Sequence, residues 1–185
     1  MAIKFGELKK YLSRVVKLSV CFEDGHYDNY LRVSDIPEGK YDDLFIFGIG
    51  MADVEFPLDV YSEPTEDWAM QLKDGFTLGC ALEVVVHKEP RDIERKNPNE
   101  LTFGDIRYYL QCGRYFSIVK KEDWSEEDYE WREEISNEYD DMYVYGIGIE
   151  DNPSELSKMI QRGIIDTQLA KKMRIVVSES PKYVL

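Results

Sequence analysis

Carboxylates dominate the residues of this chain that could do chemistry. Between positions 122 and 141 stand eleven of them, Glu122, Asp123, Glu126, Glu127, Asp128, Glu130, Glu133, Glu134, Glu138, Asp140 and Asp141, against a single base, Arg132. That window holds −10 of a total formal charge of −14. Carboxylates in such number can bind a divalent metal, act as general acid and base, or meet a cationic partner, and their spacing decides among these. On a strand, Glu126, Asp128 and Glu130, with Glu134 beyond them, share one face at a repeat of roughly 6.6 to 6.8 Å, near the roughly 6 to 7 Å between successive phosphates of a nucleic-acid strand. Tyr129 and Trp131 then face the core. A row of this kind fits a basic channel built for DNA, and a cationic partner would relieve its self-repulsion. The plainer reading is a solvated acidic face.

Other constellations carry less. Tyr-Asp-Asp occurs twice, at 41–43 and 139–141, and paired aspartates such as Asp140 and Asp141 can hold magnesium in polymerase-type palms. Adjacent strand residues point to opposite faces, however, and neither a glycine-rich phosphate loop nor a third carboxylate motif accompanies them. The motif reads better as a turn capped by aspartate ahead of a strand. His26 and His87 are the only histidines; they align with Trp124 and Ser178, not with each other, so no zinc set or nucleophilic triad assembles. Cys21, Cys80 and Cys112 are odd in number and far apart, which predicts reduced thiols. Trp68, Tyr108 and Tyr109 read as core or interface, because little positive charge accompanies them. No catalytic residue, cofactor or metal is expected.

These residues are positioned by an internal duplication. Phe5-Gly6-Glu7-Leu8 recurs as Phe103-Gly104-Asp105-Ile106, and Tyr41-Asp42-Asp43 through Gly48-Ile49-Gly50 recurs as Tyr139-Asp140-Asp141 through Gly146-Ile147-Gly148, both at an offset of 98. Leu82 to Val86 corresponds to Met173 to Val177 at an offset of 91. The chain divides into a first repeat at 1–90, a polar connector at 91–102 and a second repeat at 103–185 that carries the acidic segment. Phe5, Leu8 and Leu12, like Phe103, Ile106 and Leu110, follow helical spacing, and Thr102 with Asp105 resembles a capping box. Residues 17–23, 44–51 and 84–86 read as strands, as do 115–120, 142–149 and 175–177, with Asp24-Gly25 as a hairpin turn. Gly48 and Gly50 lie two apart, so a neighbouring backbone or ring can come close on one face. Asn152-Pro153-Ser154-Glu155 starts a further helix that Gly163 ends. The segment 123–134 is contested between a helix capped by Ser125, with Trp124, Trp131 and Ile135 as its stripe, and a strand. Its counterpart, with Leu31 opposite Tyr129 and Val33 opposite Trp131, alternates like a strand, and the strand is favoured. The class is α+β: two tandem homologous repeats, each a short helix plus mostly antiparallel strands with one further helix.

Composition sets the outer bounds. The 185 residues are 43% hydrophobic and 13% aromatic, enough for a folded core. The negative charge disfavours direct binding to DNA or anionic membranes. Neither an apolar span nor a secretory leader is evident, so a soluble cytoplasmic protein is expected. The equivalent of the acidic window in the first repeat has six acids and two bases, so the two copies have diverged in charge, which points to a partner.

The twin blocks, Phe-Gly-Glu/Asp-Leu/Ile and Tyr-Asp-Asp followed by four apolar residues and Gly-Ile-Gly, resemble small acidic proteins carried by mobile elements and phages of gut bacteria. Among these are anti-CRISPR inhibitors of type II CRISPR effector nucleases. The resemblance implies a non-enzymatic inhibitor that binds a basic, guide-RNA-loaded nuclease and blocks engagement or cleavage of DNA. On charge alone, the partner-binding residues are Asp123, Glu126, Glu127, Asp128, Glu130, Glu133, Glu134, Asp140 and Asp141. A homodimer is left open. The alternative is a structural or regulatory interaction module whose acids serve only solubility; a remote third is a metal-dependent nucleotide-processing enzyme using Asp140 and Asp141.

Overall fold

Residues 2–57, 72–73, 76–91, 95, 99–111, 114–153, 155, 158 and 171–182 are described in the computed structural model of the chain. Each repeat opens with a one-turn helix, α1 (Phe5–Leu8) and α2 (Phe103–Arg107). In α2 the predicted capping box forms: Thr102 Oγ1 accepts the Asp105 amide at 3.3 Å and Asp105 Oδ2 accepts the Thr102 amide at 3.0 Å. Phe5 and Leu8, and likewise Phe103 and Ile106, lie three apart and are buried.

The strands of the first repeat are β1 (Leu18–Phe22), β2 (Tyr27–Tyr30), β3 (Phe45–Pro57), β4 (Leu72–Lys73) and β5 (Phe76–His87). Those of the second are β6 (Arg114–Lys120), β7 (Glu126–Trp131), β8 (Tyr143–Asp151) and β9 (Lys171–Ser178). They form two sheets of the same order, β2-β1-β5-β3 and β7-β6-β9-β8, with β4 on β5. In each, one pair is parallel (β1 with β5, β6 with β9) and the remaining pairs are antiparallel. Alternating apolar residues, Leu82, Val84 and Val86 on β5 and Met173, Ile175 and Val177 on β9, face a shared interior. The contested segment is a strand over Glu126–Trp131, followed by a 3-10 turn, Arg132–Glu134. The further helix expected from Asn152 falls mostly outside the described residues; Pro153, Glu155 and Lys158 are helical.

The repeats are not separate bodies. Residues leading into α1 bond to the edge of β3, with the Phe5 amide on the Leu44 carbonyl and the Ile46 amide on the Ile3 carbonyl. After the helix the chain crosses to the other sheet. The Ile147 amide of β8 donates to the Tyr11 carbonyl at 2.8 Å, and the Ser13 amide donates to the Ile147 carbonyl at 2.8 Å. The second repeat reciprocates: the Ile49 amide donates to the Tyr109 carbonyl at 2.7 Å and the Gln111 amide to the Ile49 carbonyl at 2.8 Å. The outer edges of β3 and β8 are thus paired by segments of both repeats, and Leu8, Leu12, Ile49, Leu110 and Ile147 join one continuous core.

This exchange accounts for both sequence blocks. In Gly-Ile-Gly the isoleucine takes the crossing segment, and at Gly48 and Gly50 a side chain would enter the space of Gln111. Phe-Gly and Tyr-Asp-Asp belong together because the Gly6 amide donates to the Asp42 carbonyl and the Gly104 amide to the Asp140 carbonyl at 3.0 Å. A Cβ on Gly104 would lie 2.9 Å from that carbonyl oxygen. Two described residues of the connector are anchored to the first repeat: the Arg95 side chain, 2% exposed, pairs with Glu7 at 2.8 Å, and Glu100 accepts the Tyr11 hydroxyl at 2.9 Å. Gly104→Ala should therefore cost about 1–3 kcal/mol in urea denaturation, whereas Gly146→Ala, where the nearest atom to the added carbon is a methyl at 3.8 Å, should cost clearly less; equal losses would contradict the close-approach reading.

Candidate binding surface on the second repeat

The acidic window runs along the edge strand β7 and the turns flanking it. Glu126, Asp128 and Glu130 do share a face at strand spacing, but the row is not bare. Lys172 of β9, its side chain 10% exposed, reaches Glu126 at 2.6 Å, Asp128 at 2.8 Å and Glu150 at 3.2 Å. Ser117 also donates to Glu126 at 2.7 Å. These bonds, with the Lys172 ammonium foremost, pull the Glu126 carboxyl down to about 2 from its ordinary 4.5. The same acids raise Lys172 above its ordinary range against the opposing effect of burial, while burial pushes Glu150 up.

The other predicted residues scatter in role. Glu134 does not continue the row: its Oε2 accepts the amides of Glu130 at 3.1 Å and Trp131 at 3.2 Å, closing the turn after β7. Asp140 leaves the acidic face for Arg107 at 2.8 Å, whose guanidinium also donates to the Ile135 and Ser136 carbonyls. Glu133 pairs with Arg132 at 2.7 Å. Glu127 accepts the Tyr129 hydroxyl at 2.6 Å, which lowers its carboxyl. Asp123 accepts the Ser125 amide at 2.9 Å in the hairpin turn. Glu130, Glu133 and Asp141 are exposed. The row of free acids expected from the sequence is corrected: Lys172, Arg132, Arg107 and Lys120 pair with Glu126, Asp128, Glu133, Asp140 and Glu138, five of the eleven acids between 122 and 141.

Register supplies a second correction. Phe116 pairs with Tyr129 where Leu18 pairs with Tyr30, so Tyr129 is equivalent to Tyr30 rather than Leu31. Trp131 is correspondingly opposite Arg32, and it is 37% exposed rather than turned into the core. The hairpin of the second repeat is one residue longer, and the loop after β7 one shorter, so the unchanged offset of 98 conceals two compensating shifts. The Tyr-Asp-Asp tyrosines gain a role from this: Tyr41 bonds Tyr30 at 2.6 Å and donates to Asp28, and Tyr139 is held likewise by Tyr129 and Glu127. Among the described residues no group of three or more histidines, cysteines or carboxylates stands where it could hold a metal.

Trp124 was missed by charge counting. In the first hairpin the Gly25 amide donates to Phe22 and Asp24 caps the His26 amide; in the second the Trp124 amide donates to Lys120 and Asp123 caps the Ser125 amide. Gly25 has φ +81° and Trp124 φ +58°. A tryptophan thus holds the left-handed position that glycine fills in the other copy, and it is 64% exposed. Aligning Asp123-Trp124-Ser125 with Asp24-Gly25-His26, one gap allowed, reveals it in the sequence.

No family model, curated protein or solved structure matches the chain. No helix of the described residues is long and apolar enough to cross a membrane.

Lys172→Met strands three carboxylates around one site and should destabilise the fold by about 1–3 kcal/mol, less than a fully buried pair because those carboxylates reach solvent. The depressed Glu126 carboxyl gives stability that is complete above its unfolded value of 4.5 and is lost as pH falls toward about 2. Denaturation at a series of pH values should show that acid loss in the wild type and a smaller one in Lys172→Met. Parallel curves would contradict the assignment.

Proposed function

We propose that the chain is a tandem duplication of one α+β unit acting as a non-enzymatic inhibitor, with the β6–β7 hairpin as its contact to a basic nucleic-acid-binding enzyme. The observation that carries this reading is Trp124. A bulky residue at positive φ costs on the order of 1 kcal/mol, and an indole 64% exposed recovers little of that by burial. The first repeat meets the same backbone demand with Gly25 at no such cost. Strain without internal return fits a residue retained for an external contact, and tryptophan is a favoured interface anchor.

The charge around it gives the partner its sign. β2 carries one acid, Asp28, whereas β7 carries four, Glu126, Glu127, Asp128 and Glu130. Asp123 stands next to the indole in the hairpin turn, and the four acids of β7 run away from it along the strand. A partner whose channel holds nucleic acid offers complementary charge, and the sequence resemblance names its class as a guide-RNA-loaded type II CRISPR nuclease. Lys172 fixes Glu126 and Asp128 in place and Arg132 holds Glu133, which leaves Trp124 and Glu130 as the groups most open to a partner, with Glu133 still exposed beside its arginine. A second reading rests on the position of β7 at a sheet edge: its acids would then serve to prevent edge-to-edge association.

Trp124→Gly separates the two. It should raise stability by about 0.5–1 kcal/mol by relieving the backbone, while weakening binding to a purified guide-loaded type II nuclease at least about tenfold in a titration. The Glu130→Lys, Glu133→Lys double variant should weaken it further and flatten its salt dependence. Unchanged affinity in both variants would favour the edge-protection reading.

A further inference from the structure

The two crossing segments differ where they pass over the glycines. Gln111 and Ser13 hold equivalent places, since each amide donates at 2.8 Å to the isoleucine carbonyl of the strand it crosses, Ile49 and Ile147. In the first repeat the Gln111 carboxamide lies across both glycines: its Nε2 takes the space of a Cβ on Gly48, and its Oε1 would stand 2.6 Å from one on Gly50. Both glycines are buried. In the second repeat the Ser13 Cβ would stand 3.4 Å from a Cβ on Gly148, and over Gly146 the nearest atom is a valine methyl at 3.8 Å. Gly146 and Gly148 are half-buried, and a cavity of about 190 Å³ opens beside them, lined also by Ser13, Glu150, Arg174 and Val176. Neither glycine has the left-handed backbone that calls for one, and glycine inside a strand weakens it and often marks a close approach. The first repeat supplies the approaching group from its own chain, whereas the second leaves the place open.

The polar side chains of the slot select what would fill it. Arg174 pairs with Gly148 across β8 and β9, and Glu150 lies two residues beyond Gly148 on the same face. Arg174 Nε meets Glu150 Oε2 at 3.1 Å, and among the described residues the guanidinium meets only this carboxylate. Both side chains are about a third exposed, with Arg174 Nε and Glu150 Oε1 buried, so the outer guanidinium nitrogens and Oε2 are what they present. A donor and an acceptor of opposite charge thus stand side by side. An anion in the slot would be repelled by Glu150 and a cation by Arg174, whereas a neutral group carrying N–H and C=O together suits both. The volume lies below the range of sites that hold a whole drug-sized ligand and takes one group of side-chain size. We infer that the slot over Gly146-Ile147-Gly148 is a binding site for a primary carboxamide, the same group that the first repeat lays on its own glycines. Its oxygen accepts from Arg174, its nitrogen donates to Glu150, and its face rests on Gly146 and Gly148.

Propionamide, the glutamine side chain without its backbone, serves as the probe, titrated into the full chain while backbone amide signals are followed by NMR. Those of Gly146 and Gly148 should shift with a dissociation constant on the order of 10 mM or tighter, and those of Gly48 and Gly50, already covered by Gln111, should not. Propionate and propylammonium, which keep the size and add a charge of either sign, should each bind at least about fivefold more weakly, as should N,N-dimethylpropionamide, which lacks the N–H donors. N-acetylglutamine methylamide carries the group on a peptide backbone: tighter binding than propionamide assigns the carboxamide to a protein partner, and equal or weaker binding to a free small amide. Ser13→Gln, which installs the residue of the first repeat, should abolish the propionamide shifts with thermal unfolding unchanged or raised. Should that variant unfold, Gly146→Ala, whose added methyl has room but stands in the slot, should still weaken binding at least about threefold. The absence of shifts through hundreds of millimolar, propionate or propylammonium bound as tightly as propionamide, or undiminished binding in the folded variants would overturn the assignment.

Discussion

The structure depends on the reciprocal crossing of two short segments. Residues 11–13 bond to β8 of the second sheet, and residues 109–111 bond to β3 of the first, each through a single isoleucine that both donates and accepts. Neither sheet has its outer edge covered by its own repeat alone. The one-turn helices follow from the same constraint. Each has only to carry the chain from its own sheet, where Phe5 or Phe103 is bonded, to the other, and a longer helix would overshoot. Placing Leu8, Leu12, Ile106 and Leu110 between the sheets makes one core from two small ones, a gain for units of this size, which bury a low fraction of their surface alone.

A shared scaffold lets the surfaces diverge. Equivalent hairpins end in Asp24-Gly25-His26 and Asp123-Trp124-Ser125 with the same turn bonds, so differences in side chain there are not demanded by the backbone. The second hairpin carries acid and an exposed indole. The first carries a histidine stacked on Phe22. Lys172 shows how much negative charge the fold accepts without help: where three carboxylates approach on the outer face of the second sheet, an ammonium is placed among them. Farther along, Glu130 stands in solvent, where repulsion is screened, and Glu133 is met by Arg132.

Much of the fold was legible because a duplicated sequence reports on itself. The helix at Thr102, the paired strands and the close approach at Gly48 and Gly50 each follow from residue type at two matching positions. The strand at Glu126 to Trp131 was read correctly only because its counterpart alternates. Its register was misread by one residue, since an insertion in the hairpin and a deletion after β7 cancel in the offset, and this turned Trp131 inward on paper and outward in space. The exchange of segments was illegible: Tyr11 and Ser13 bond through backbone groups, which every residue carries. The neutralisation of the acidic row was hidden as well, because Lys172 lies far along the chain from Glu126 and approaches it only through the parallel pairing of β6 with β9. Composition located the charge, and tertiary structure decided how much of it is free to act.

Native-state hydrogen exchange at the crossing amides tests the account most directly. The amides of Ser13, Ile49, Gln111 and Ile147 are predicted to be protected to the same extent as those of Val84 and Ile175 in the central strands and to be lost with them in one cooperative unfolding, because the crossings hold both sheets to a common core. Exchange of those four amides through local opening, with the two sheets unfolding as independent units, would contradict it.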